Sequence, residues 1–312
     1  MPDNDGMPLT DQAPRQNTTN AGIVRSPQWA GFHWLWHGFS TRMGGKTTVY
    51  SGEHKSGELN LGFTPADSRE TVLANRETFI RDLTEGRATL PAFVTLKQIH
   101  SSIIHVVGKA DAGEEAVLTG DGMLTREAGV LLGIQTADCI PVLVADKKQR
   151  AVAAFHAGWR GTLKRIVENG IGRMRLEFGS KPEDLSAAIG PGIGQCCYAV
   201  GEEVRDAFHS QFAYAQDLFR EVYNADPIKE KYPMLFLTAR APGHSNLGPN
   251  LHLDLVEANR RQLLDAGLRE EQIFVLGDCT SCHVDRYFSY RAEHGFTGRM
   301  LSVIGVRDRS LS

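Results

Sequence analysis

The sequence predicts an α/β or α+β fold. Short apolar runs rich in Val, Ile, Leu and Ala alternate with segments of helical period. The two longest such runs, I-P-V-L-V-A and A-V-A-A-F-H, are apolar at consecutive positions, as in strands covered on both faces. Two Asp-x-x-Glu pairs open amphipathic stretches, which is a helix-start signal.

In chain order, strands are expected near 93–97, 103–107, 130–134, 140–145, 151–156, 186–189, 273–276 and 301–306. The first helix is D-S-R-E-T-V-L-A-N-R-E-T-F-I-R-D-L, capped by Asp67 with Glu70, and Val72, Phe79, Ile80 and Leu83 form its stripe. A second helix follows Gly161, with Leu163, Ile166, Val167, Ile171, Met174 and Phe178 on one face. Asp254 with Glu257 opens a third, which Gly267 stops. Residues 224–250 are rich in Pro, Gly and Asn and read as a long excursion or lid. Residues 1–22 are polar, without an apolar h-region, and read as a disordered tail; residues 23–312 are expected to form one domain.

Composition narrows the function classes. A net charge of −3 and the lack of a basic run give no electrostatic case for nucleic acid. Apolar stretches are strand-length, well below the roughly 18 residues of a membrane span. Five cysteines without a secretion signal suggest reduced thiols in the cytosol, better suited to metal binding or catalysis than to disulfides.

The central segment C-I-P-V-L-V-A-D-K-K-Q-R-A-V-A-A-F-H reads as a β-hairpin. Centring its turn on Lys147–Lys148 sets Cys139 opposite His156, where Cβ atoms lie roughly 4.5–5.5 Å apart. One tetrahedral metal could then bind both; a buried thiol beside a core histidine is the alternative. His100, at the end of F-V-T-L-K-Q-I-H, is the third candidate ligand. One cysteine and two histidines leave a fourth position open, which marks catalytic zinc sites.

Three Arg-Gly turns could serve an anionic substrate. They are S-T-R-M-G-G with Arg42, H-A-G-W-R-G with Arg160, and F-S-Y-R-A-E-H-G-F-T-G-R with Arg291 and Arg299. In the second, Gly158 and Gly161 would let backbone N–H groups approach a ligand at a helix N-terminus. C-T-S-C-H at 279–283 matches a haem-attachment pattern that requires export. Cys279 and Cys282 could instead join Cys196 and Cys197 around zinc, but vicinal cysteines are poor ligand spacing, and buried thiols are the expectation there. G-P-G-I-G at 190–194 lacks the third glycine of a dinucleotide fingerprint. Asp138, beside Cys139, would point to the opposite face of an extended chain, as an anchor of the site and not as a ligand.

The segments T-R-M-G-G, L-N-L-G, N-R at 75–76, Q-I-H, T-A-D-C-I-P-V-L, H-A-G-W-R-G, I-G-P-G-I-G-Q-C-C-Y-A-V-G and F-S-Y-R…T-G-R occur together over roughly residues 30–306. In this the chain resembles the bacterial laccase-domain (multicopper polyphenol oxidase) family. The resemblance implies a four-layer α/β/β/α sandwich with mixed sheets. It implies zinc held by His100, Cys139 and His156. It also implies a purine nucleoside phosphorylase acting on adenosine, inosine, guanosine and methylthioadenosine with phosphate, together with adenosine deamination. Arg42, Arg160 and Arg291 are the expected phosphate contacts, with Cys139, His156, Arg160 and Asp138 at the catalytic centre and a monomer or homodimer as the assembly.

Two departures from the family pattern stand out. G-D-G at Gly120–Gly122 replaces the usual A-D-A, and the 224–250 excursion is longer than usual. The laccase label fits poorly, because eleven histidines include no H-x-H pair, although one such site could still take up copper. Rival readings are a Cys139–His156 hydrolase, peptidoglycan-precursor editing, and a zinc-binding structural protein.

Overall fold

A computed structural model describes residues 22–51, 57–222 and 250–308. The tail at 1–21 and nearly all of the 224–250 excursion lie outside them. All eight expected strands are present, within the two larger of three sheets. The first sheet joins β1 (Ile23–Val24), β2 (Leu35–Ser40), β15 (Met300–Val306), β7 (Val130–Thr136) and β4 (Ala92–Thr95), in that order. The second joins β14 (Ile273–Val275), β10 (Leu185–Ile189), β8 (Ile140–Asp146), β9 (Ala151–Ala157), β6 (Gly122–Thr125) and β5 (Ile104–Val106). Both sheets are mixed: β4 runs parallel to β7, and β15 antiparallel to it. A small third sheet joins β11 (Ala199–Val200), β13 (Asn250–Leu253) and β12 (Phe219–Val222).

Consecutive apolar residues in β8 and β9 are explained by the packing. Val142 and Val144 face the cluster of Ile171 and Met174 from α3 (Ile166–Phe178), Phe208 from α4 (Glu202–Gln211), and Ala258 and Leu263 from α5 (Leu255–Asp265). Leu143 and Ala145 face the other way, onto Phe39, Leu132 and Ile304 of the first sheet. A strand buried on both faces has no solvent side to carry polar residues. On the far side of the first sheet, α1 (Arg69–Leu83) sets Phe79, Ile80 and Leu83 against Trp36, Leu131 and Val303. The short strand β3 (Met43–Thr47) lies beside α1.

Several boundaries differ from expectation. Ser68, not Asp67, caps α1, accepting from the Thr71 N–H; the Asp67 carboxylate is taken by Thr47 and Asn60. The second helix breaks into α2 (Trp159–Leu163) and α3, because Arg165 adopts a left-handed φ of 58°. Asp254 caps α5 and Gly267 stops it at φ 96°, as expected.

The hairpin register is also shifted. Pro141 pairs with His156 and Ile140 with Ala157, so the turn is centred two residue-sums further on than the Lys147–Lys148 centring required. The loop has four residues. The Asp146 carboxylate accepts from the Lys148 and Gln149 N–H groups, and Arg150 closes the turn at φ 50°. A change of two in the pairing preserves which face each side chain occupies, so Cys139 and His156 stay on one side of the sheet.

His37 on β2 is buried, and its Nε2 accepts from the Ser26 N–H at 3.1 Å. Burial, aided by Arg25, pushes the imidazole down to about 3. The unfolded chain takes up this proton near pH 6.5, the folded chain only near 3. Stability should therefore fall as pH drops through that window, at up to about 1.4 kcal/mol per pH unit. His37→Gln keeps an acceptor for Ser26 and should flatten that slope, as measured by urea denaturation from pH 7 to 4.

Candidate metal centre

The link between β7 and β8 carries the chain from one sheet to the other in three residues, Ala137, Asp138 and Cys139. Asp138 turns this corner with a left-handed φ of 88°, a conformation that Asp tolerates better than most side chains. The expected extended chain is therefore absent at this point. The Asp138 carboxylate nonetheless acts as an anchor. It accepts from Thr280 Oγ1, Ser289 Oγ and the Arg291 N–H, each at 2.7 Å. The Asp138 carbonyl accepts from the Ile193 N–H at 2.8 Å.

Cys139, presented by this corner, has its Sγ 3.7 Å from His100 Nε2. The His100 and His156 rings meet edge-on with centroids 4.9 Å apart. One ligand atom from each of His100, Cys139 and His156 lies within 4.8 Å of the others. His100 does not end a strand: β4 stops at Thr95, and His100 sits in the following loop at φ 58°. Gly158 is required for clearance more than for ligand approach. A Cβ there would lie 2.8 Å from the His100 ring and 2.9 Å from Cys139 Sγ. The helix it opens, α2, has only five residues.

Asp121, the centre of G-D-G, was missed by the sequence reading. It is fully buried. Its Oδ1 accepts from His156 Nδ1 at 2.8 Å and from the His100 N–H at 3.0 Å, and its Oδ2 from the Ser101 N–H and hydroxyl, both at 2.6 Å. Burial alone would raise this carboxyl, but the bonds from His156 and Ser101 hold it well below the usual carboxylate range. The signal was a lone acid opening an otherwise apolar strand run.

The donor set fits a metal ion. Two imidazoles and a thiol suit zinc or copper. A histidine held through Nδ1 by a carboxylate presents Nε2 to the ion. Without a metal, burial opposes ionisation of both Cys139 and His156, but each favours the other's charge. The thiol is pulled down and the imidazole up, toward a thiolate–imidazolium pair.

The three donors open onto a cavity of about 1040 Å³. Arg160, Arg291, Arg76 and Arg299 line it, with Trp159 and Tyr198 beside the donors. Arg160 stacks on Trp159 at 4.2 Å, and no carboxylate among the described residues pairs with it. Arg291 donates to the Ala199 carbonyl and lies 5.4 Å from the Tyr198 ring. Arg76 is buried against the Phe63 face at 4.3 Å, and burial, then Arg69, brings it down to about 10. Arg42 is placed elsewhere. It does not line the cavity, and its guanidinium is held by Glu58 at 2.6 Å and Glu293 at 3.1 Å. The two carboxylates leave it no free face for a phosphate.

The fold and the three-donor site together define a class of protein. The family model described as "Multi-copper polyphenol oxidoreductase laccase" matches residues 36–307. The chain belongs to this family. Purine nucleoside phosphorylase YlmD of Geobacillus stearothermophilus is 36% identical over 279 residues, 86% of this chain and 92% of that protein. Adenosine deaminase RL5, from an unknown prokaryotic organism, is 32% identical over 259 residues, 81% of this chain and 87% of that protein. The crystal structure of the hypothetical protein YfiH from Bacillus licheniformis aligns with a TM-score of 0.76 at 30% identity, covering 94% of this chain and 99% of that one.

Asp121→Asn should weaken metal binding about 10–100-fold, because the charge that orients His156 is lost. Cys139→Ala should remove most of the metal at this site. Competition with a chromophoric chelator measures both.

Proposed function

We propose that the chain is a zinc-dependent purine nucleoside phosphorylase that also deaminates adenosine, working in the cytosol on adenosine, inosine, guanosine and methylthioadenosine. The observation that carries this reading is the cluster of His100, Cys139 and His156 at the wall of a cavity that also holds Arg160 and Arg291, which no carboxylate among the described residues pairs with. The relatives bear the two activities as separate names, which supports one site serving both. We read the architecture as a four-layer α/β/β/α sandwich, since helices cover the outer face of each large sheet.

The cavity has room for a nucleoside and an anion together. In phosphorolysis, a phosphate oxygen forms a bond to C1′ while the C1′–N9 bond breaks and its electron pair leaves with the purine. Arg160, kept in place by stacking on Trp159, orients the phosphate and balances its charge. Arg291, fixed through Ala199 and Asp138, closes the same side. Tyr198 keeps its proton, because burial, with the Cys139 charge beside it, raises the phenol. It can therefore donate to the departing base. Asp121 holds the His156 proton at Nδ1. Zinc, when bound by His100, Cys139 and His156, supplies Lewis acidity and a water of lowered pKa. The lack of the H-x-H pairs of blue copper clusters speaks against a multicopper oxidase.

Adenosine should yield adenine in the presence of phosphate and inosine without it. Arg160→Ala should lower kcat/KM for phosphorolysis about 10–100-fold, the loss of a charge-assisted hydrogen bond. Deamination, which holds no anionic nucleophile, should change less. Chelation should stop both reactions. Release of no free base from any purine nucleoside would defeat the phosphorylase reading, and activity surviving chelation would favour a Cys139–His156 hydrolase.

A further inference from the structure

A second group of four thiols comes together away from the cavity. One sulfur from each of Cys196, Cys197, Cys279 and Cys282 lies within 4.8 Å of the others. Cys282 Sγ is 3.4 Å from both Cys196 Sγ and Cys197 Sγ. This overturns the expectation of buried, separate thiols, since Cys196 and Cys282 are exposed and only Cys279 is buried. The objection to vicinal cysteines holds for a strand, where neighbours point to opposite faces. Here Cys196 and Cys197 lie in a turn, with the Cys197 and Tyr198 N–H groups both bonded to the Gly194 carbonyl. A turn brings both side chains to one side.

We propose that these four cysteines hold a second, structural zinc ion. Four sulfurs around zinc, with Zn–S near 2.3 Å, stand about 3.8 Å apart at the vertices of a tetrahedron, and two separations of 3.4 Å, with all four sulfurs within 4.8 Å of one another, are compatible with that spacing. They are far too long for the roughly 2.05 Å of a disulfide. An all-sulfur tetrahedral set selects zinc or an iron–sulfur centre over hard cations. Mononuclear zinc is the smaller occupant and fits sulfurs this close.

The backbone around Cys279 also favours its thiolate. Cys279 Sγ accepts from the Gly194 N–H at 3.2 Å and from the Cys282 N–H across the C-x-x-C turn. Glycine at 194 gives the sulfurs room, because a Cβ would lie 3.2 Å from Cys279 Cβ and 3.3 Å from Cys196 Sγ, tighter than ordinary contact. No part of the His100–Cys139–His156 centre contributes to this site.

The ion would clip two segments that have little regular structure of their own. One follows β10 and carries Ile193 and Tyr198; the other follows β14 and leads to Tyr290 and Arg291. All four residues line the cavity. Among the described residues, the segments are joined by one bridge, Gly192 to Cys279, the hydrogen bonds beside it, and the Arg291 contacts to the Ala199 carbonyl and the Tyr198 ring. A closed four-thiolate site gives stability directly and fixes the wall that presents Tyr198 and Arg291.

The full chain, purified in reductant, should contain about two zinc ions. Cys139→Ala and Cys282→Ser should each lower this to about one. Cobalt reconstituted into Cys139→Ala should show the intense thiolate charge-transfer bands of a tetrahedral sulfur site, and these should vanish when Cys282→Ser is added to that variant. Because a variant can misfold, X-ray absorption on the wild-type chain gives an independent reading. About 2.5 sulfurs per zinc are expected, against one if only the cavity site is filled. Five titratable thiols should appear after denaturation in chelator. A single zinc with one sulfur, a brown iron–sulfur chromophore, or fewer than five thiols would overturn the proposal. A zinc content unchanged by Cys139→Ala but reduced in Cys282→Ser would count against the catalytic reading and leave this one standing.

Discussion

A single buried carboxylate, Asp121, organises the reactive end of this protein. It is sealed from solvent, yet it stays ionised because every direction of approach is filled by a donor. An unpaired charge in that position would cost several kcal/mol, so the donors must be in place for the fold to tolerate it. Two of those donors belong to candidate ligand residues. The His100 backbone is pulled into its left-handed turn, and the His156 ring is fixed in one tautomer. The same residue thus shapes a loop after one sheet and a strand of the other.

Asp138 performs the matching task for the thiol. The chain passes from the first sheet to the second with only three residues to spare, and a left-handed residue makes that corner possible. Such a conformation costs about 1–3 kcal/mol. Bonds from Thr280, Ser289, Arg291 and Ile193 offset that cost. The bonds also determine what surrounds Cys139. Segments distant in sequence are drawn to the corner and deliver Tyr198 and Arg291 to the cavity. The four-thiol cluster lies on these same segments, just behind the wall.

The arginines separate into two groups by partner. Arg42 faces two carboxylates and is a structural tie between β3's approach and the 284–293 segment. Arg160 has an aromatic ring for a neighbour and, among the described residues, no carboxylate partner. An arginine already neutralised has little left to offer an incoming phosphate, whereas one stacked on tryptophan is pre-ordered and still charged. Both occur in Arg-Gly turns of similar appearance, and their environments alone distinguish them.

The sequence by itself determined the strands that are buried on both faces, the cap at Asp254, and the grouping of His100, Cys139 and His156 as candidate ligands. These are legible because apolar periodicity, side-chain capping and ligand chemistry are local properties of residue type. The two-residue register error did not matter for the donors, since strand faces repeat every two residues. Tertiary structure decided the rest. Asp121 reads as an ordinary acid until β6 is set between the His100 loop and β9. Arg42 reads as a phosphate ligand until Glu58 and Glu293 meet it. Cys196 and Cys197 read as a poor ligand pair until a turn places them against Cys279 and Cys282. In each case the deciding interaction joins residues far apart in the chain, and no local pattern records which distant partner a charged or sulfur-bearing side chain will face.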